Sequence, residues 1–138
     1  MNNKRLIIGS LVGAVTLYIA GYLIFDLGVG EFYAANAGSA TGVMRESQVI
    51  WAICLGTLSY AVLLTLAIES RSGSTSPVDG MKVGAVIGFL LWCTTDFILY
   101  GNQNVNNLTV ASVDPLLELV RGGIGGAVIA LVREKIPD

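Results

Sequence analysis

The chain has 138 residues, a formal net charge of −2, 54% hydrophobic against 13% charged residues, and a mean hydropathy of +0.71. A soluble domain carries about 25% charged residues, and a core of this size could not hide so much apolar surface from water. Composition therefore excludes a soluble globular protein and makes the lipid bilayer its expected partner, and the absence of a basic excess argues against a nucleic-acid partner.

Crossing a hydrocarbon layer of about 30 Å takes roughly 20 apolar residues of helix. Four stretches qualify, which predicts an all-α, single-domain four-helix transmembrane bundle over residues 1–138. Unbroken apolar runs exclude a β-barrel, whose strands alternate faces with period two.

The first span, predicted at 6–25, is free of charge and preceded by Lys4 and Arg5. Ala35-Asn36-Ala37 has the form of a signal-peptide cleavage site, but it lies too far along the chain and behind Asp26 and Glu31, so an uncleaved start is expected. Gly9 and Gly13 place small residues four apart. The loop 26–48 carries Asp26, Glu31 and Arg45. The second span, 49–68, is also uncharged and offers Ala52 and Gly56 at the same spacing. Cys54 and Cys93 fall inside spans, where a thiol behaves as a small hydrophobe. The chain has no histidine, and two isolated cysteines make no zinc motif, so no metal or cofactor is expected. Residues 70–77, SRSGSTSP, read as a flexible linker.

The third span, 83–100, contains one carboxylate, and Gly84, Gly88, Trp92, Asp96 and Tyr100 fall on one i+4 row. The loop 101–114 spells a glycosylation acceptor at Asn107-Leu108-Thr109, which matters only in a eukaryotic source. The fourth span, 115–132, carries Glu118, Arg121 and the pair Gly122 and Gly126, with Gly123 and Gly125 beside them. Asp114 before Pro115 has the form of a helix N-cap. Val12-Gly13-Ala14-Val15 recurs as Val83-Gly84-Ala85-Val86, a weak sign of a duplicated hairpin.

Orientation follows from the basic residues. Lys4, Arg5, Arg71, Lys82, Arg133 and Lys135 fall on one side, and Arg45 is the one in a loop on the other. Positive charge is retained in the cytoplasm, so both termini and the middle loop are expected there.

Small residues at i and i+4 let helices approach closely in lipid. Gly9, Gly13, Gly56, Gly84, Gly88, Gly122 and Gly126 are read as packing seams, with the fourth span at the centre of the bundle. The seams exceed what one bundle consumes, so a homodimer or a larger membrane complex is expected.

A charge at mid-bilayer costs at least about 2.5–3.5 kcal/mol on insertion scales, so intramembrane charges are paired, wet or functional. Antiparallel neighbours would bring Asp96 and Glu118 to a similar depth, about 6 Å below the outer surface, with Arg121 one turn deeper. The expected arrangement is Arg121 held between Glu118 and Asp96, with Tyr100, Asp26, Glu31 and Arg45 at the rim. It serves either as a fixed clasp between two helices or as a ligand, ion or proton site.

The run Glu31-Phe32-Tyr33-Ala34-Ala35-Asn36-Ala37-Gly38-Ser39-Ala40-Thr41-Gly42-Val43-Met44-Arg45, with Lys82-Val83-Gly84 and the later Asp96, resembles small four-helix bacterial membrane proteins of no assigned activity. The resemblance spans the chain and implies a bacterial inner membrane, with the first helix running on to about Ala35. Function is left between a structural or accessory subunit and a small transporter or channel with an outward-opening site at Asp96, Glu118 and Arg121. An intramembrane enzyme is not expected, because Ser59, Thr94 and Thr95 have no identifiable base.

Overall fold

A computed structural model of the protein describes residues 3–71 and 76–136. It is all-α. In chain order the elements are α1 (Asn3–Gly21), a π-helical segment (Tyr22–Gly28), a short α2 (Gly30–Ala35), α3 (Ile50–Glu69), α4 (Pro77–Asn102) and α5 (Leu108–Lys135). Four helices are long and apolar enough to cross a membrane, the first formed by α1 with its π-helical continuation. Ile7, Leu11, Val15 and Ile19 on α1, and Val86 and Leu90 on α4, are exposed on the outer faces, as apolar side chains facing lipid would be.

Two helices start earlier than expected. Helix α4 begins at Pro77, six residues before the predicted Val83, because Ser76 caps it. The Ser76 hydroxyl accepts from the Asp79 backbone N–H at 3.2 Å and donates to Asp79 Oδ2 at 2.7 Å. Of the expected linker 70–77, residues 72–75 lie outside the described residues. Helix α5 begins at Leu108, and its N-cap is Asn107, whose side chain accepts from Val110 N–H at 3.1 Å. The N-cap role expected of Asp114 is therefore a misreading: Asp114 and Pro115 lie inside the helix, buried. A proline inside a membrane helix is tolerated because neighbouring groups can serve the backbone it leaves unpaired. Asn107 Nδ2 also donates to Asn36 Oδ1 at 3.1 Å, so the supposed glycosylation amide is a structural bond.

The first span does not run smoothly to Ala35. It passes into the π-helical register at Tyr22, breaks at Val29 and resumes as α2. Single π turns inside α-helices recur at functional sites.

Helix α5 is the centre of the bundle: 44% of its membrane window is buried, against 11% for α4. Helices α4 and α5 form an antiparallel pair through glycine. A methyl carbon built on Gly80, Gly84 or Gly88 would run into the carbonyl of Gly126, Gly122 or Glu118 respectively, and one on Gly122 or Gly126 would strike α4 in return. The backbones themselves are in contact there. Gly9 and Gly13 on α1 also face inward, against Thr65 and Ile129 for the first and Ile129 and Ala61 for the second. Gly56 departs from the expected seam: nothing lies within 4 Å of where its side chain would begin.

Between these seams Leu17, Tyr60, Ala61, Leu64, Ile68 and Ile129 form one buried cluster. Both termini emerge at one end of the bundle, where Arg133 Nε pairs with Glu69 Oε1 at 2.8 Å and Arg5 donates to the Ile136 carbonyl at 2.9 and 2.7 Å. The opposite end is closed by two loops joined as a short ladder. Gly38 N–H donates to the Val105 carbonyl at 2.7 Å, Ala40 N–H to Asn104 at 2.9 Å, and Asn107 N–H to Asn36 at 3.2 Å.

A candidate polar site at the loop end of the bundle

Glu118 and Arg121 project from one face of α5, three residues apart. Arg121 Nη1 donates to Glu118 Oε1 at 2.7 Å, and Arg121 Nε donates to the Leu17 carbonyl of α1 at 3.0 Å. Gly21 makes the second bond possible, since a side-chain carbon there would lie 3.0 Å from the guanidinium. The rings of Phe25 and Tyr60 flank the cation, 5.8 and 5.9 Å from its centre. The arginine thus trades water for one carboxylate, one carbonyl and two aromatic faces, which is how a membrane helix can carry it.

Asp96 lies elsewhere in the arrangement. It ends the inward-facing row of α4 that Gly80, Gly84 and Gly88 begin, and it is 7% exposed. Its salt bridge with Arg121 does not form; its neighbour is Asp114, one turn before Glu118 on α5, and both carboxyl groups are buried. From above, the Tyr33 hydroxyl of α2 donates to Asp114 Oδ1. The loop ladder explains why Tyr33 can reach: Asn36, three residues on, is tied to Asn107 at the start of α5. Burial, then the hydrogen bond and charge of Asp114, raise the Tyr33 phenol above its ordinary value.

Three carboxyl groups, those of Asp96, Asp114 and Glu118, are therefore buried at this end of the bundle, and of the three only Glu118 pairs with Arg121. Asp96 Oδ2, Glu118 Oε2 and the Tyr60 hydroxyl are buried without a hydrogen-bond partner among the described residues. The Tyr60 ring packs on Trp92 at 5.1 Å, and its hydroxyl reaches the α4–α5 seam beside Gly88 and Gly122. No group of three or more His, Cys, Asp or Glu side chains among the described residues could hold a metal ion.

Two clefts flank this cluster. One, of about 170 Å³, is lined by Tyr18, Tyr22, Asp26, Gln48 and Thr57 with Arg121 at its base. The other, of about 700 Å³, runs under the loop ladder and is lined by Phe25, Asp26, Tyr33, Val43, Met44 and Val105 among others. Asp26 is exposed and borders both. Glu31, Arg45 and Tyr100 are exposed as well and make no side-chain hydrogen bond or ion pair among the described residues, so the rim expected of them is not built.

Sequence reasoning passed over Tyr33, Tyr60 and Asp114 as site residues. Asp114 carried a usable signal, one turn from Glu118 on the same helical face. Tyr33 and Tyr60 carried none, because loop-to-helix and helix-to-helix contacts leave no mark in local spacing. Searched against protein families, curated proteins and solved structures, the chain matches none, so no family is identified and its four long apolar helices alone mark it as a small four-pass membrane protein.

Proposed function

We propose that the protein is a small proton-handling membrane protein of the transporter or channel class, with Asp96 and Asp114 sharing a proton at the loop end of the bundle. The observation that carries this reading is the carboxyl pair itself. Two carboxylates buried side by side repel each other, and a proton held by one of them relieves that repulsion. Glu118 takes the nearby cation for itself, which leaves the pair to be balanced by protons. A purely structural clasp would instead pair each charge, as Arg133 and Glu69 do at the other end.

We read the site as open to the loop side in this conformation, and crossing the membrane then requires the apolar residues below it to part. Leu17, Leu64, Ile68 and Ile129 fill the bundle toward the termini, so exchange is with the loop side. We place both termini in the cytoplasm on the bias of Lys and Arg, which makes the loop side external. The resemblance noted above favours a bacterial inner membrane. No catalytic role is assigned: the hydroxyls of Ser59, Thr94 and Thr95 each donate to the carbonyl four residues back.

The test is proton movement into liposomes containing the purified protein and an internal pH-sensitive dye. Wild type is expected to dissipate an imposed pH gradient faster than Asp96→Asn or Asp114→Asn, with helical content equal in all three. Equal rates in wild type, both variants and empty liposomes would reject the reading.

A second reading concerns assembly. Ala52, Gly56 and Ser59 form an exposed small-residue face on α3, which favours a second copy or a partner helix there. Gly56→Leu should weaken that association, and an unchanged monomeric mass of both proteins in lipid discs would count against it.

A further inference from the structure

We propose that the larger cleft at the loop end binds a hydrophobic organic cation, an ammonium group carried on an aromatic or alkyl body. This deepens the transporter reading above by naming a substrate class for the same end of the molecule.

Three features of the cleft select that chemistry. Its walls are largely apolar, with Val43, Met44 and Val105 facing Phe25 and Tyr33. The Tyr33 ring meets Phe25 edge to face at 6.0 Å, and since Phe25 already carries Arg121 over its ring at 5.8 Å, Tyr33 is the lining ring that a ligand cation would use. A cation over its face is attracted by the ring quadrupole. Its charges are acidic: Asp26 lines it and makes no ion pair among the described residues, and Asp114 lies directly behind Tyr33. Arg45, the nearest basic residue in sequence, is exposed and does not line the cleft.

Other occupants fit less well. An anion would meet Asp26 with no lining cation to offset it. A metal ion would need several converging oxygen ligands, and no such group exists among the described residues. At about 700 Å³ the space exceeds that of a bare ion or a single ammonium group, so the body of the ligand has room to cover the apolar wall. Tyr33 divides the cleft from the carboxyl pair, its ring on one side and its hydroxyl bonded to Asp114 on the other.

The experiment uses two water-soluble probes of similar size and opposite charge, benzyltrimethylammonium and phenylmethanesulfonate. Binding to the full chain in lipid discs is followed by titration calorimetry, with empty discs as background. Saturable binding of the cation and none of the anion is expected. Asp26→Asn, at an exposed position, should weaken the cation by about fivefold, and Tyr33→Leu by a similar factor through loss of the ring. Tyr33→Phe keeps the ring and should bind at least as well as wild type, which separates recognition from folding.

Equal binding of both probes, or cation binding indifferent to Asp26→Asn and Tyr33→Leu, would overturn the proposal. Asp96→Asn distinguishes it from the proton reading. That variant should lose proton movement while still binding the cation, so each idea can fail while the other stands.

Discussion

The two ends of the bundle solve the same problem, holding polar groups near a membrane, in opposite ways. At the terminal end the buried charges are paired: Arg133 faces Glu69, and Arg5 donates twice to the Ile136 carbonyl at the end of α5. Between the ends the helices touch through bare glycine, with no polar side chain in the seam from Gly80 to Gly88 except the Tyr60 hydroxyl at its edge. At the loop end three carboxyl groups are buried but only Glu118 meets a guanidinium, and two of their oxygens have no hydrogen-bond partner among the described residues. Pairing accounts for the first end, where the buried Arg133 sits against the carboxylate of Glu69. The second carries more acid than structure needs, and that surplus is where function belongs.

The comparison is broken most forcefully at Arg121. Arg121→Leu leaves Glu118 buried beside no cation and should cost about 3–5 kcal/mol, the usual penalty for removing one partner of a buried pair. Adding Glu118→Gln should recover most of that loss. Adding Asp96→Asn should recover little, because Asp96 belongs to the Asp114 pair. Thermal unfolding in one detergent, compared across the three variants, checks the order, and rescue by Asp96→Asn alone would show that the two groups are not separate.

Next in size is the seam. Gly84→Ala forces a methyl group into the Gly122 carbonyl and should cost about 1–3 kcal/mol by overpacking, seen as a lower melting temperature. Gly9→Leu and Gly13→Leu should likewise lower stability rather than loosen any oligomer, since both glycines face inward.

Smaller again is Tyr33→Phe, which deletes the hydrogen bond to Asp114 and should cost about 1 kcal/mol. Its pH signature has a definite sign. Because the folded phenol is raised above the ordinary value of 10.0, the contribution is full below that pH and is lost as pH rises through the folded value. Alkaline unfolding of wild type and Tyr33→Phe should therefore converge. Gly56→Ala should run the other way, a small gain of about 0.5–1 kcal/mol, because the methyl group meets no other part of the chain and alanine is the better helix former.

Much of this was legible in the sequence, and the rest was hidden for identifiable reasons. The four spans follow from apolar length alone. The row of Gly84, Gly88 and Asp96 could be read because i+4 spacing is local, and the equally local i+3 spacing placed Glu118 with Arg121. Hydropathy cannot locate the starts of α4 and α5, because Pro77–Lys82 and Leu108–Asp114 are polar enough to read as loop, whereas Ser76 and Asn107 cap helices that outrun the apolar stretch. Partner choice was the deeper limit. Depth arithmetic brought Asp96, Glu118 and Arg121 to one level, but it could not say that Arg121 turns toward the Leu17 carbonyl of α1 while Asp96 turns toward Asp114. Gly56 shows the converse, since it has the spacing of a seam and no helix against it.

The central claim is the shared proton between Asp96 and Asp114. Infrared spectroscopy of the reconstituted protein tests it most directly, through the carbonyl stretch that a protonated carboxyl group shows and a carboxylate lacks. The account predicts such a band in wild type at neutral pH, lost or shifted in both Asp96→Asn and Asp114→Asn and left in place by Asp26→Asn. A spectrum without the band, or one that neither Asp96→Asn nor Asp114→Asn alters, would contradict it.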